Sequence, residues 1–412
     1  MLNKSQSQIN SIINRPVPLS KFGLKQSDIK IAKDSTELQN DAPILIMATP
    51  IRDATLMQNG NPEKTLKKKH NYVMDIPTFN FLRDDQTGRK LLSPANIKFK
   101  NVYRPYKGQD LNGKSILFIR HGGFGDLLFI NTILRFIKKK YPDSYIAFSC
   151  GAQYVPMISQ WPEIDGVVDS LPMDAVHFLK SDYHAIFNGV LERNEEAKRV
   201  NAYRLFANWV GLDIPGEELV PIQTPEPMAL GSVKARLLEF GFNPKEFVVV
   251  HMRASSIIRT PHPEKFWVPV IRGLLDKGQK VVVIDSPDKV GVLDWFLKRY
   301  FLDNGNIKSF CRPILESISL AFLSKKVIGV DSSMVHIGAS VGVPVFGIYG
   351  PFSGAVRLAT YPNAKWVDAK CSCAPCFIGN DSYRCLNLKD GYPGCFNNIN
   401  VEKVVGDICS AI

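Results

Sequence analysis

At 412 residues the chain is long enough for two to three domains, each burying its own core. Its 45% hydrophobic and 22% charged residues exclude a disordered or fibrous protein, and no apolar run approaches the ~18 residues of a membrane-spanning helix. The net charge of +12 suits a polyanionic partner, whether nucleic acid, a phosphorylated lipid head group or a nucleotide, but equally a solvated basic face.

The first residues (MLNKSQSQINSIINRP) lack the apolar stretch of a secretory signal, so the expected compartment is the cytoplasm. Residues 1–105 are rich in Asn, Gln, Asp, Lys and Pro. Apart from the run from Ala42 to Met47 they show little apolar periodicity, which predicts a loop-rich extension carrying no recognisable chemistry. A basic run, Lys67 to His70, lies within it.

A buried strand is predicted at 115–120 (SILFIR), a glycine turn at 121–126 (HGGFGD), and then an amphipathic helix. Leu127, Leu128, Ile130, Ile133, Leu134 and Ile137 share one side of that helix, and Lys138 to Lys140 complement its negative C-terminal end. Short strands follow at 145–148, 164–168 and 185–187, with helices at 154–158 and 201–210, the pattern of a parallel α/β unit over 106–222. Pro215, Pro221, Pro225 and Pro227 mark an interdomain linker. Beyond it, helices at 230–240, 266–276, 292–300 and 318–323 alternate with strands at 247–251 and 280–285. These elements assign 223–412 to a second doubly wound half. A βαβ unit completes it, with strand 326–330, a polar turn, a small-residue helix and strand 343–350. Two such halves place a ligand in the crevice between them.

Four constellations sit where strands end. The first, 120–126 (RHGGFGD), puts His121, Gly122, Gly123 and Gly125 at a junction that backbone or ligand can approach closely. Its spacing is neither G-x-G-x-x-G nor a Walker loop with its lysine. Asp126, in the first helical turn, can act as a general base toward an acceptor hydroxyl or simply stabilise the helix dipole. The second, 251–259 (HMRASSIIR), offers Arg253, Ser255 and Arg259 to a diphosphate. The third, 285–288 (DSPD), supplies Asp285 and Asp288, either for a ribose or base, or as a helix cap. In the fourth, 330–339 (VDSSMVHIGA), Asp331, Ser332 and Ser333 meet a helix N-terminus whose free amides suit a phosphate, and His336 lies one turn on.

Five of the eight cysteines crowd into the tail, as Cys371, Cys373, Cys376, Cys385 and Cys395. In a cytosolic chain that crowding points to a structural zinc, or else to a reduced or disulfide-stapled loop, with no catalytic role.

From residue 113 onward the chain resembles glycosyltransferase family 9, the heptosyltransferase-like enzymes of the GT-B fold. Residues 116–146 (ILFIRHGGFGDLLFINTILRFIKKKYPDSYI) look like that family's first strand, Gly-Asp turn and helix. Residues 327–351 (VIGVDSSMVHIGASVGVPVFGIYGP) resemble its donor block D-[ST]-[GS]-x-x-H. CAPC at 373–376 and CFNNINVEKVV at 395–405 are similar to its cysteine-bearing tail. Ser333 stands where the donor block usually has glycine.

The resemblance implies two Rossmann-like lobes and inverting transfer from a nucleotide-diphosphate sugar, typically an ADP-sugar, with no obligatory cofactor or metal. Asp126 matches the general base, and Asp331, Ser332, Ser333 and His336 match the donor-diphosphate segment. Arg259 falls near a phosphate-contacting lysine and Asp288 near a nucleotide contact. The expected acceptor is a hydroxyl of a cell-surface glycan or lipopolysaccharide core, reached at the inner face of the membrane by peripheral contact. Two other readings are a transferase acting on modified DNA bases and a non-catalytic nucleotide-sugar-binding module.

Overall fold

The computed structural model describes residues 45–58, 61–83, 92–94 and 102–410, apart from 169, 193, 303, 377–384 and 386. Residues 42–44 of the early apolar run lie outside them.

Within the extension are strands β1 (Leu45–Pro50), β2 (Ala54–Gln58), β3 (Asn61–Leu66) and β4 (Tyr72–Asp75), helix α1 (Ile76–Arg83) and strand β5 (Leu92–Pro94). A loop-rich chain was expected here. The elements escape sequence reading because they are three to eight residues long and are broken by proline and lysine, too short for a period to register. β1 pairs antiparallel with both β4 and β5, and β2 pairs with β3 as a hairpin.

The next unit contains β6 (Ser115–Ile119), α2 (Phe124–Lys140), β7 (Tyr145–Ser149), β8 (Gly166–Val168), β9 (Met173–Asp174) and β10 (Tyr183–Ile186). Here β6, β7, β8 and β10 form a parallel sheet in the order β10-β6-β7-β8. The apolar stripe predicted on α2 is the face it buries, with Leu127, Leu128, Ile130, Ile133, Leu134 and Ile137 all fully covered. β9 leaves this sheet and pairs antiparallel with β4, so the extension is joined to the unit through a shared strand ladder. Leu45, Met47 and Val73 pack with Leu117, Ile119, Ala147 and Phe178, covering the face of the parallel sheet opposite α2.

After α3 (Ala202–Trp209) and α4 (Pro227–Phe240) comes a six-stranded, all-parallel sheet of β11 (Phe247–His251), β12 (Lys280–Asp285), β13 (Ile307–Cys311), β14 (Lys326–Val330), β15 (Val345–Tyr349) and β16 (Ala364–Asp368). Helices α5 (Val268–Asp276), α6 (Val290–Phe301), α7 (Ile314–Leu323), α8 (Ser333–Ser340), α9 (Gly354–Leu358) and α10 (Val401–Ser410) accompany it. Its order, β13-β12-β11-β14-β15-β16, is that of a dinucleotide-binding fold. The central strands β11, β12, β14 and β15 are nearly all buried and read as apolar runs in the sequence. The edge strands β13 and β16 are half-buried and mixed in composition, which hid them.

In each sheet the strand order reverses once, between β6 and β10 in the first and between β11 and β14 in the second. Ligands of open α/β sheets bind beyond the carboxyl ends of strands at such a point. There the first sheet carries the Arg120–Asp126 turn and the second the Asp331 turn. No helix among the described residues is long and apolar enough to cross a membrane.

Candidate active site

Arg120 extends from the end of β6 and is 1% exposed. Its guanidinium donates to Phe187 O from Nη1 at 2.8 Å, to Glu192 Oε1 from Nη2 at 2.6 Å and Oε2 from Nη1 at 3.2 Å, and to Asp126 Oδ2. Gly122 makes room for it, since a Cβ there would lie 2.5 Å from Arg120 Nε. Asp126 also accepts from the Gly123 amide at 3.2 Å, so its carboxylate caps α2 while one side stays open, the side chain being 20% exposed. The capping reading of Asp126 is therefore present in the geometry, with part of the carboxylate left exposed. His121 sits behind the turn, 3.2 Å from Ser149 Oγ, and burial, then Arg120 and Lys64, hold its imidazole neutral.

On the other lobe, Ser332 is the N-cap residue of α8, yet it makes no side-chain cap. Its Oγ pairs instead with His251 Nδ1 at 2.8 Å, so the first amides of α8 are not used up by their own cap. Ser333 begins the helix and is not among the residues with positive φ, so serine at this position carries no strain. Gly338 lets α8 lie flush on the sheet: a Cβ would come within 2.8 Å of Val345 and 2.9 Å of Val327. Arg259 donates from Nη1 to Asp331 O at 3.0 Å and to its carboxylate at 3.3 Å, and from Nη2 to Ser255 Oγ at 2.7 Å. Asp331, Arg259 and Ser255 thus form one cluster. Arg253 is held in a two-pronged pair by Asp285, at 2.8 and 3.0 Å, and Asp288 lies beside that pair, exposed and bound to Ser286 and Lys289. Burial pushes the pKa of His251, the partner of Ser332, down to about 4, with Asp285 opposing the shift and Arg253 adding to it.

His336 is buried where the two lobes meet. It is 3% exposed, its Nδ1 shares a 2.7 Å hydrogen bond with Tyr361 OH, and Phe129 of α2 packs edge-on at 5.0 Å. Burial pushes its pKa down to about 4, so at neutral pH it brings no positive charge to a phosphate. It serves as a contact between the lobes. Tyr361 continues the chain to Tyr203 of α3, and Asn201 adds a 2.7 Å bond to Val356 O. Sequence reading missed Tyr203, Tyr361, Phe129 and Glu192, because none belongs to a local motif and only tertiary folding brings them here.

The neutral histidines make stability pH-dependent. His184 (1% exposed) and His336 both have folded pKa values of about 4, below the ordinary 6.5. The unfolded chain therefore binds more protons in this range. Stability is complete above pH 6.5 and is lost as pH falls toward 4. These two alone should cost about 2 kcal/mol between pH 6.5 and 5.5, and His121 and His251, lowered in the same direction, add to the loss. Urea unfolding at the two pH values checks this; equal stabilities would contradict it.

The two turns face each other directly. A Cβ placed on Gly125 would lie 3.6 Å from His336 Cδ2 and 3.9 Å from Ser333 Cα. The start of α2 and the start of α8 therefore meet across the crevice.

Residues 203–387, which include the whole Asp331 block, match the family model described as Glycosyltransferase family 9 (heptosyltransferase). Over those residues the chain is similar to a family 9 glycosyltransferase domain. Its structure is similar to E. coli ADP-heptose LPS heptosyltransferase II, with a TM-score of 0.55 and 14% identity, covering 72% of this chain and 98% of that one. The family 9 glycosyl transferase of Veillonella parvula matches with the same TM-score and identity, over 74% and 98%. TibC, a dodecameric iron-containing glycosyltransferase from enterotoxigenic E. coli, matches with a TM-score of 0.51 and 14% identity, over 84% of this chain and 86% of that one. No curated protein matches the chain in sequence. At this identity the solved structures show the fold, two Rossmann-like lobes of the GT-B type, and this glycosyltransferase shares more of its length with TibC than with the other two.

In this glycosyltransferase the cysteines of the tail are free thiols. Cys371 and Cys373 have their sulfurs 3.1 Å apart, and Cys395 is buried against Gly350. Among the described residues no group of three or more His, Cys, Asp or Glu is placed to hold a metal ion, so the expected zinc finds no ligand set there.

Proposed function

We propose that this enzyme transfers a sugar, heptose or a related one, from an ADP-sugar to a hydroxyl of a cell-surface glycan or lipopolysaccharide core, with inversion at the anomeric carbon. The observation that carries the reading is the apposition at Gly125, which sets an acidic turn against an uncapped helix start. The acceptor oxygen attacks the anomeric carbon as the bond to the diphosphate oxygen breaks. Asp126 takes the acceptor proton. The departing diphosphate gathers charge beside the first amides of α8, the Ser333 hydroxyl and Arg259. Arg253 contributes less, since Asp285 already neutralises it. Glu192 shares the Arg120 guanidinium with Asp126, so Asp126 does not face that cation alone.

A thermal-shift screen tests the reading. A ligand that binds only the folded state raises Tm by mass action, so ADP and ADP-sugars should raise it more than their UDP and GDP counterparts. No response to any nucleotide sugar would contradict the proposal.

A further inference from the structure

Arg357, on the short helix α9 just after β15, belonged to none of the sequence constellations. It is 7% exposed, and its guanidinium carbon lies over the Phe352 ring, 3.9 Å from the centroid. Its mounting is rigid. Asp368 caps α9 by accepting from the Gly354 amide at 2.6 Å, and Gly354 abuts Trp366 so closely that a Cβ would lie 2.4 Å from the indole. Nε of Arg357 points at Asp331 Oδ1 from 3.8 Å, beyond hydrogen-bonding distance, and has no hydrogen-bond partner. A second buried donor nearby, the Tyr349 hydroxyl, also lacks one, and its electrostatic surroundings are Asp331, Arg357, Tyr361 and Asp368. Buried donors are rarely left unmatched, and a charged one is the most costly to leave so. With Arg259 on its other side, Asp331 stands between two arginines, so the cluster carries a net positive charge at the uncapped start of α8.

We propose that Arg357 is a donor-binding residue whose buried guanidinium takes a diphosphate oxygen of the nucleotide sugar. The inference rests on reading this lobe as the donor site. An acidic oxygen placed between Arg357 and α8 would meet the unmatched Nε, while Phe352 holds the guanidinium in position.

The test is calorimetric titration of ADP, GDP and UDP, each against its own monophosphate, with the wild type, Arg357→Gln, Arg357→Lys and Phe352→Leu. The wild type should favour one diphosphate over its monophosphate. Arg357→Gln should weaken that diphosphate about 10- to 100-fold and leave the monophosphate nearly unchanged, the size expected for a charge-assisted hydrogen bond. Arg357→Lys should recover part of the loss. Equal weakening of diphosphate and monophosphate, or no weakening in a variant that melts like the wild type, would overturn the role of Arg357. Should Arg357→Gln fail to fold, Phe352→Leu decides, because it keeps the charge and loses the stacking. A selective diphosphate loss there supports the proposal, and unchanged selectivity overturns it. A wild type that favours no diphosphate would overturn the donor-site reading itself.

Discussion

Asp126→Asn should lower the rate of transfer about 10²- to 10⁴-fold, the usual contribution of a positioned general base. Asparagine is the informative substitution because it separates the two jobs of the carboxylate. Its side-chain oxygen can still accept from the Gly123 amide, and Arg120 keeps its two-pronged contact with Glu192 and its bond to Phe187 O. What disappears is the ability to take a proton. Stability should therefore change by no more than about 1 kcal/mol, the scale of a helix cap, while release of nucleoside diphosphate in the presence of acceptor collapses. A variant that retained wild-type turnover would remove Asp126 from the chemistry and leave it as a cap.

Arg120→Met should destabilise the protein by about 3 kcal/mol, measured as a shift in urea midpoint at constant slope. The guanidinium is almost fully buried and binds two carboxylates and a main-chain carbonyl. Methionine fills similar volume but leaves Asp126 and Glu192 facing one another without a cation, and leaves Phe187 O without its donor. Most of the cost is the unpaired charge rather than lost packing. Replacing all three groups, as Arg120→Met with Asp126→Asn and Glu192→Gln, should therefore recover a large part of the loss. If the triple variant were as unstable as the sum of its parts, the pairing would not be what matters at Arg120. The same arrangement explains the glycine at 122, whose missing side chain is the space Arg120 occupies.

The buried strands were legible because parallel sheets covered on both faces demand unbroken apolar runs, as in 247–251, 280–285 and 326–330. Helix α2 was legible from its single apolar face and basic end. The site turns were legible for the same reason: glycine, aspartate and serine stand out where a β-branched run stops. What stayed hidden depends on partners far apart in the chain. Nothing near His336 in the sequence announces Tyr361 or Phe129, so its burial as a neutral inter-lobe contact was not legible. Arg253 looked available to a phosphate until β12 brought Asp285 beside it. Arg357 sits on a five-residue helix without a motif, and its burial over Phe352 exists only in the folded protein. The half-exposed edge strands and the small sheet of the extension lack the patterns by which an interior strand is recognised.

The central claim is a division of labour, with proton acceptance on the first lobe and donor binding on the second. Calorimetric Kd values of one ADP-sugar for Asp126→Asn and Arg259→Ala test it most directly. Asp126→Asn should bind within about twofold of the wild type, because it loses nothing that touches the donor phosphates. Arg259→Ala should bind at least about tenfold more weakly, since it removes a charge-assisted contact beside α8. The reverse result, donor binding lost with Asp126 and intact without Arg259, would contradict the account.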